Sequence, residues 1–329
     1  MPLEPPLFTE GLATPPVRRY KGPIVDAHVH LDAVDDARPL VRVAADYGVK
    51  FLCGVVRLEA IEALQGAFGP SFRPIVQIDQ RLLGDAARCA RENVRLVRTA
   101  RALGAVGAKF WFGPRFVAET GFRFNHPALG PVFETLAELG MVALVHIADP
   151  DCWFATAYAD RARYGTKADH YEPLEHTLAA YPRLKVQGAH FGGDPEHLDH
   201  LRRLLARYPN FCIDSSATKW IARELSAQPD AARAFVIEQA DRILFGTDLV
   251  AFRGAKTEDY SSRYWAHRWL WEGEGVRPSP IPDPCATWPD GPQVHGLALP
   301  DDVLSRLYHD NARRWFGLDI ADCGLRIAD

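Results

Sequence analysis

Residues 24–30 read Ile24-Val25-Asp26-Ala27-His28-Val29-His30, an apolar run that ends on two histidines one residue apart. Side chains two apart on a strand share a face, so His28 and His30 can offer two imidazole nitrogens to one metal ion. A lone His-x-His is weak evidence. Seven further runs of the same character follow: VKFLCGVV (49–56), RPIVQID (73–79), AVGAKFW (105–111), VALVHIA (142–148), LKVQGAH (184–190), NFCIDSS (210–216) and ILFGTDL (243–249). Runs too apolar to alternate cleanly suit a sheet buried on both faces, and starts roughly 25–40 residues apart suit repeated βα units. The reading is an α/β chain with eight strands in one βα barrel. Strand ends of such a barrel converge on one mouth. His146 lies in the fifth run, His190 ends the sixth and Asp248 stands in the eighth, so four imidazoles and a carboxylate gather where only a shared cation would readily compensate them.

The segments between the runs carry apolar residues at three- and four-residue spacing: 36–48, 88–104, 130–140 and 195–209,. Gly48, Gly104 and Gly140 close three of them as helix caps, and residues 300–317 form a last helix,. Residues 1–22 are Pro-rich and read as an extended arm, leaving 23–329 as the barrel domain,. Two connections exceed barrel norms, Ala148 to Asp169 after strand five and Arg277 to Leu299 after strand eight, and long loops in compact domains are commonly functional,.

The 329 residues, 47% of them hydrophobic, suffice for one large barrel core,. Lys+Arg 38 against Asp+Glu 42 gives a formal net charge of -4, which speaks against nucleic acid and anionic membranes as partners,. No signal-peptide pattern and no run of about 18 apolar residues is present, so the chain is expected to be soluble and cytoplasmic,. Cys53, Cys89, Cys152, Cys212, Cys285 and Cys323 are scattered without a C-x-x-C pair, and are read as mostly small buried apolar side chains rather than a disulfide scaffold,.

These motifs together, from DAHVH (26–30) through GAKFW (107–111), ALVHIA (143–148), VQGAHFGG (186–193) and LFGTD (244–248) to DNARRWFG (310–317), resemble the amidohydrolase superfamily, in its amidohydrolase-related (family 2) branch. The resemblance implies a single (β/α)8 TIM barrel with divalent metal at the C-terminal strand ends. It implies His28, His30 and His146 as imidazole ligands and Asp248 as ligand or proton acceptor. His190 is then a second-metal ligand or a general acid/base, and Lys109 a carboxylated bridge, a residue that orients substrate or an ion-paired one. One metal is favoured, zinc first, with manganese or iron fitting similar ligands.

The expected substrate is a small molecule with a carbonyl group, a lactone, ester or amide, opened by hydrolysis. The alternatives are non-oxidative decarboxylation of an aromatic or unsaturated carboxylate, and a non-catalytic binding barrel. Residues just past the strands are expected to line the pocket: Asp32, Arg57, Asp79, Arg81, Trp111, Phe112, Arg115, Trp153, Phe154, Ser215, Ser216, Trp220 and Arg253. Arg57, Arg115, Trp111 and Trp153 are the first choices for substrate contact, since guanidinium pairs with carboxylate and aromatic walls suit planar groups. His170, His176, His197, His200 and His309 are read as solvated or capping, His126 as a helix cap, and His267 and His295 as able to approach the mouth. The stretch from Arg263 to Gly275 is read as the eighth barrel helix with a lid or dimer contact, and Trp265, Trp269, Trp271 and Trp288 as candidates for a homodimer interface.

Overall fold

The computed structural model describes residues 4–319. The barrel strands are β1 (Ile24–His30), β2 (Val49–Val56), β3 (Phe72–Gln77), β4 (Gly107–Trp111), β5 (Val142–His146), β6 (Lys185–Gly188), β7 (Phe211–Asp214), β8 (Ile243–Leu244) and β9 (Leu249–Val250). Neighbours run in the order β8-β7-β6-β5-β4-β3-β2-β1-β9. Every pairing in it is parallel. β8 opens the ILFGTDL run and β9 starts at its last residue, so the eighth strand pairs with β7 by its first part and with β1 by its second, closing a TIM barrel. Val25, Ala27, Phe51, Cys53, Ile75, Val142, Leu144, Cys212 and Leu244 fill the interior together with Ala312 and Phe316 of the C-terminal helix. Asn311 locks that helix to the ring by donating its amide to the carbonyls of Ala240 and Ile243 at 2.6 and 2.7 Å.

A bulge in β1 decides where its histidines point. Asp26 pairs with Leu52 but Val29 with Gly54, so one extra residue sits in β1 between them. A bulge re-aims the side chains beyond it. Asp26 turns away from the interior, where its carboxylate accepts from Thr247 N (3.1 Å), Thr247 Oγ1 (2.7 Å) and the Tyr264 hydroxyl (2.8 Å). These bonds replace the ladder where the eighth strand breaks. Burial pushes the Asp26 carboxyl up to about 7 against those bonds,.

The expected helices form, and Gly48, Gly104 and Gly140 take the left-handed backbone conformation that ends three of them. The helix Thr257–Glu272 departs from expectation, because every residue from Asp259 to Glu272 is buried. The arm lies on it, with the Phe8 ring against Trp265 at 6.1 Å and the amides of Arg19 and Tyr20 donating to Glu272 at 2.8 and 3.0 Å. Residues 274–297 form an antiparallel hairpin, β10 (Glu274–Pro278) and β11 (Gln293–Leu297), that packs against the helix from another side. Trp265, Trp269 and Trp271 are therefore core residues of this chain, not a lid or a dimer surface. His267 is also buried, between Phe245 and Trp271 and away from the mouth.

Two further corrections concern the loop after β5. His170 is buried, with Nε2 bonded to the Tyr164 carbonyl at 3.0 Å, rather than solvated. Cys152 in this loop is disulfide-bonded to Cys285 in the 277–299 insertion. Cys53, Cys89 and Cys212 are free and buried as expected, and Cys323 lies outside the described residues. Lys167 anchors the far side of the loop, its ammonium 3.1, 2.8 and 3.0 Å from Asp151, Asp194 and Glu196. Burial lowers the Lys167 pKa, but these carboxylates outweigh it and raise the value; Asp151 is held low because Lys167 and His197 outweigh its own burial. A raised lysine stabilises fully below its ordinary value of about 10.4 and loses this as pH rises through the folded value, and a lowered aspartate stabilises above about 3.9 and loses this as pH falls. Proteolytic cleavage between residues 150 and 170 is thus expected to be slow at neutral pH and to accelerate at both extremes, and a rate independent of pH would remove the clamp from the account.

Candidate metal centre

Six side chains meet inside the C-terminal mouth. His30 Nε2 lies 2.9 Å from Asp248 Oδ1, and His28 Nε2 lies 3.2 Å from the same oxygen. His190 Nε2 is 4.0 Å from Asp248 Oδ2 and 3.1 Å from His146 Nδ1. Lys109 Nζ sits 3.1 Å from His28 Nε2. His28 is fully buried, while His30 and Asp248 each keep 30% of the side chain exposed, so the group is reached from solvent through those two.

Unusual backbone holds it. Asp248, His190, Phe191 and Ala217 have φ of 59, 60, 54 and 59°, all in the left-handed region that L side chains avoid. Such outliers persist where surrounding contacts over-determine them, and they cluster at functional sites. Gly193 supplies the freedom next to His190, since a Cβ there would meet the Ala148 carbonyl oxygen at 2.6 Å.

A second set of residues fixes the imidazoles, and its central member is not among those expected from the sequence. Asp214, at the end of β7, faces His28 Nδ1 at 3.0 Å, accepts from Gln187 at 2.6 Å and accepts from the His190 amide at 3.0 Å. Ser216 Oγ donates to Asp214 and lies 2.7 Å from His190 Nδ1. The only sequence signal for Asp214 was an aspartate closing an apolar run, as in Asp248. On the other side His146 Nε2 meets Asp149 Oδ1 at 2.9 Å, and the Tyr158 hydroxyl donates to Asp149 Oδ2 at 2.7 Å. Burial raises Asp214, Asp248 and Asp149, but the histidines facing each outweigh it and hold all three below the usual carboxylate range,. Burial pulls Lys109 down, opposed by Asp248 and Asp214.

The tautomers that follow test whether these residues fit a cation. His28 Nδ1 faces a carboxylate and carries the proton, so Nε2 presents a lone pair to Asp248 Oδ1. By the same logic His146 Nδ1 and His190 Nε2 present lone pairs to each other, since their other nitrogens donate to Asp149 and Ser216. Acceptors facing acceptors at 3.2 and 3.1 Å are unfavourable alone. They match the roughly 2.9–3.4 Å edges between ligands held about 2.0–2.1 Å from one ion. His28, His30 and Asp248 could hold one ion between them, and so could His28, His190 and Asp214. His146 borders the site, with Nε2 engaged by Asp149. Asp214→Asn is expected to weaken metal retention by about 10–100-fold against a competing chelator, because it removes the partner that orients His28; unchanged retention would demote Asp214 to packing.

Aromatic side chains cover the metal centre. Trp111 is 43% exposed and its ring meets His146 edge-on at 6.1 Å. Trp220 lies 5.3 Å from His190 and 5.2 Å from Trp153, which extends the wall from the loop after β5. The arginines are less committed. Arg57 is exposed and turned to Asp32 and Glu59 at 3.4 and 3.8 Å, Arg81 to Asp79 at 2.8 Å, while Arg115 and Arg253 are exposed. Ser215 is internal, donating to the Gly246 carbonyl at 3.1 Å.

The sequence model of the amidohydrolase family matches residues 25–318. The chain belongs to the amidohydrolase family. Solved structures share the fold of this amidohydrolase at low identity. One is a 2,6-dihydroxybenzoate decarboxylase complexed with 2,6-dihydroxybenzoate, at 18% identity over 87% of this chain and 89% of that chain, TM-score 0.53. Another is 4-oxalomesaconate hydratase from Rhodopseudomonas palustris, at 14% over 89% and 95%, TM-score 0.54. A third is a 5-carboxyvanillate decarboxylase from Novosphingobium aromaticivorans complexed with manganese and 4-hydroxy-3-methoxy-5-nitrobenzoic acid, at 13% over 94% and 100%, TM-score 0.54. No curated relative matches the chain. Among the described residues of this amidohydrolase, no helix is long and apolar enough to cross a membrane.

Proposed function

We propose that this amidohydrolase is a metal-dependent hydrolase of a small carbonyl compound, a lactone, ester or amide with an aromatic or planar part. The observation that supports it is the convergence of His28, His30 and Asp248, with a second oxygen of Asp248 directed toward His190. A divalent ion bound there supplies a Lewis acid and a water whose pKa falls toward about 7. His28 and His30 would hold it, with Asp248 as the anionic member, and zinc suits this imidazole and carboxylate set. Asp248 takes a proton from the attacking water and hands it to the lone pair of His190 Nε2, 4.0 Å from its Oδ2, which passes it to the leaving group,. Trp111, Trp153 and Trp220 exclude water and stack on the substrate, and Arg115 meets a substrate carboxylate at the rim.

A decarboxylase reading is favoured by one specific feature. His146 Nδ1 and His190 Nε2 lie 3.1 Å apart with their lone pairs facing, so a proton taken up there is held between them and can be delivered to carbon. The two readings separate in water enriched in oxygen-18, with lactones, aryl esters, amides and aromatic carboxylates as substrates. Hydrolysis places one heavy oxygen in the product and releases no carbon dioxide. Carbon dioxide release without incorporation of the label would overturn the hydrolase reading.

A further inference from the structure

The two long connections are joined by one covalent bond. Cys152 lies in the loop after β5, and Cys285 in the insertion, 133 residues later. We propose that Cys152–Cys285 is a redox-modification site, opened by a small thiol, that sets the position of the tryptophan wall over His146 and His190.

Three observations carry this. First, the bond grips the site from both sides. Trp153 follows Cys152 directly and meets Trp220, which borders His190 and His146 at 5.3 and 6.4 Å. Asp149, three residues before Cys152, holds His146 Nε2. Second, the helix Thr218–Ala227 that carries Trp220 also carries Arg223, whose guanidinium reaches Cys152 Sγ at 3.5 Å and Asp283 at 2.5 Å. Asp283 in turn accepts from the Cys285 amide at 3.0 Å. Third, both bonded cysteines are partly exposed, whereas Cys53, Cys89 and Cys212 are buried, so a dissolved thiol meets this pair alone among the described cysteines.

The flanking cation sets the direction of exchange. A thiolate attacks Cys285 Sγ, forms a mixed disulfide there and expels Cys152 as a thiolate beside the Arg223 guanidinium. A cation beside a sulfur lowers its thiol pKa and makes it the better leaving group. A second thiolate then attacks the outer sulfur of the mixed disulfide and releases Cys285. Two small thiols are thereby oxidised to one disulfide, and two electrons and two protons pass to the cysteine pair. In a reducing compartment such as the cytoplasm, lasting disulfides are rare and those present are usually transient and redox-sensing. Lys167 still holds Asp151, Asp194 and Glu196, and Tyr158 still donates to Asp149, so opening the bond loosens residues 152–157 without releasing the whole loop.

The test uses the full chain, glutathione as the thiol, and alkylation under native conditions with peptide mapping. Before reduction Cys152 and Cys285 are expected to resist alkylation, and after it both are expected to be modified while the buried cysteines are not. Tryptophan fluorescence is expected to shift with the same time course, to return with oxidised glutathione, and to lose the shift in Trp153→Phe. Cys285→Ser should show the reduced-state spectrum with or without thiol. Alkylation of the pair before reduction would show that no disulfide is present, and opening without a fluorescence shift would show a structural staple; either overturns the proposal. None of these readouts depends on the hydrolase reading, so the two can fail separately.

Discussion

Asp248→Asn lowers kcat by about 10²–10⁴-fold and leaves the fold intact. Asparagine has the size of aspartate and is among the few side chains that tolerate a left-handed backbone, which Asp248 adopts with φ 59°,. The barrel therefore loses little. The chemistry loses two things at once. The amide cannot accept the proton of an attacking water, and the ligand group gives up its anionic member beside His28 and His30. Steady-state rates with a competent substrate, alongside near-ultraviolet circular dichroism, check this. Unchanged kcat in a folded, metal-loaded variant would remove Asp248 from its assigned role.

Glu272→Ala is expected to cost about 3–5 kcal/mol of unfolding free energy, because it leaves a buried cation without its anion. Glu272 is fully buried at the end of the helix that the arm and the hairpin enclose. One of its oxygens accepts from the amides of Arg19 and Tyr20 and from Arg268, and the other accepts from the Tyr308 hydroxyl at 3.0 Å and faces Arg268 Nε at 2.5 Å. Truncation orphans two amides, a phenol and a guanidinium in one step. Arg268 keeps its bond to the Tyr47 carbonyl at 2.7 Å, which a lone buried guanidinium does not find sufficient,. Urea unfolding reads the change in midpoint, and a loss under about 1 kcal/mol would contradict the hub role. Turnover per folded molecule should stay unchanged, since Glu272 touches none of the metal-centre residues.

The barrel was legible because its strands are buried on both faces, and IVDAHVH and VALVHIA show that as near-continuous apolar runs with polar ends. Those ends are where the site lies, so His28, His30, His146, His190 and Asp248 are legible as a group in the sequence alone. The bulge in β1 left no trace in residue type, since it is a matter of register with β2. The helix Thr257–Glu272 misled because a helix enclosed on all sides has no polar face to set its period. Its tryptophans therefore looked like an interface. Cys152 and Cys285 carry no mutual signal across 133 residues, although both stand in the two connections that their length had already marked. Asp214 was hidden for a different reason: its work is done through His28 and His190, and no spacing in the chain reports a partner's orientation.

Metal content per chain tests the central claim most directly. The chain is purified without chelator or added metal, measured by inductively coupled plasma mass spectrometry, and compared with His28→Ala prepared in parallel. The account predicts about one equivalent of a divalent transition metal, zinc first, in the native chain and its loss in the variant. No bound metal in the native chain, even after reconstitution with zinc, manganese or iron, would contradict it.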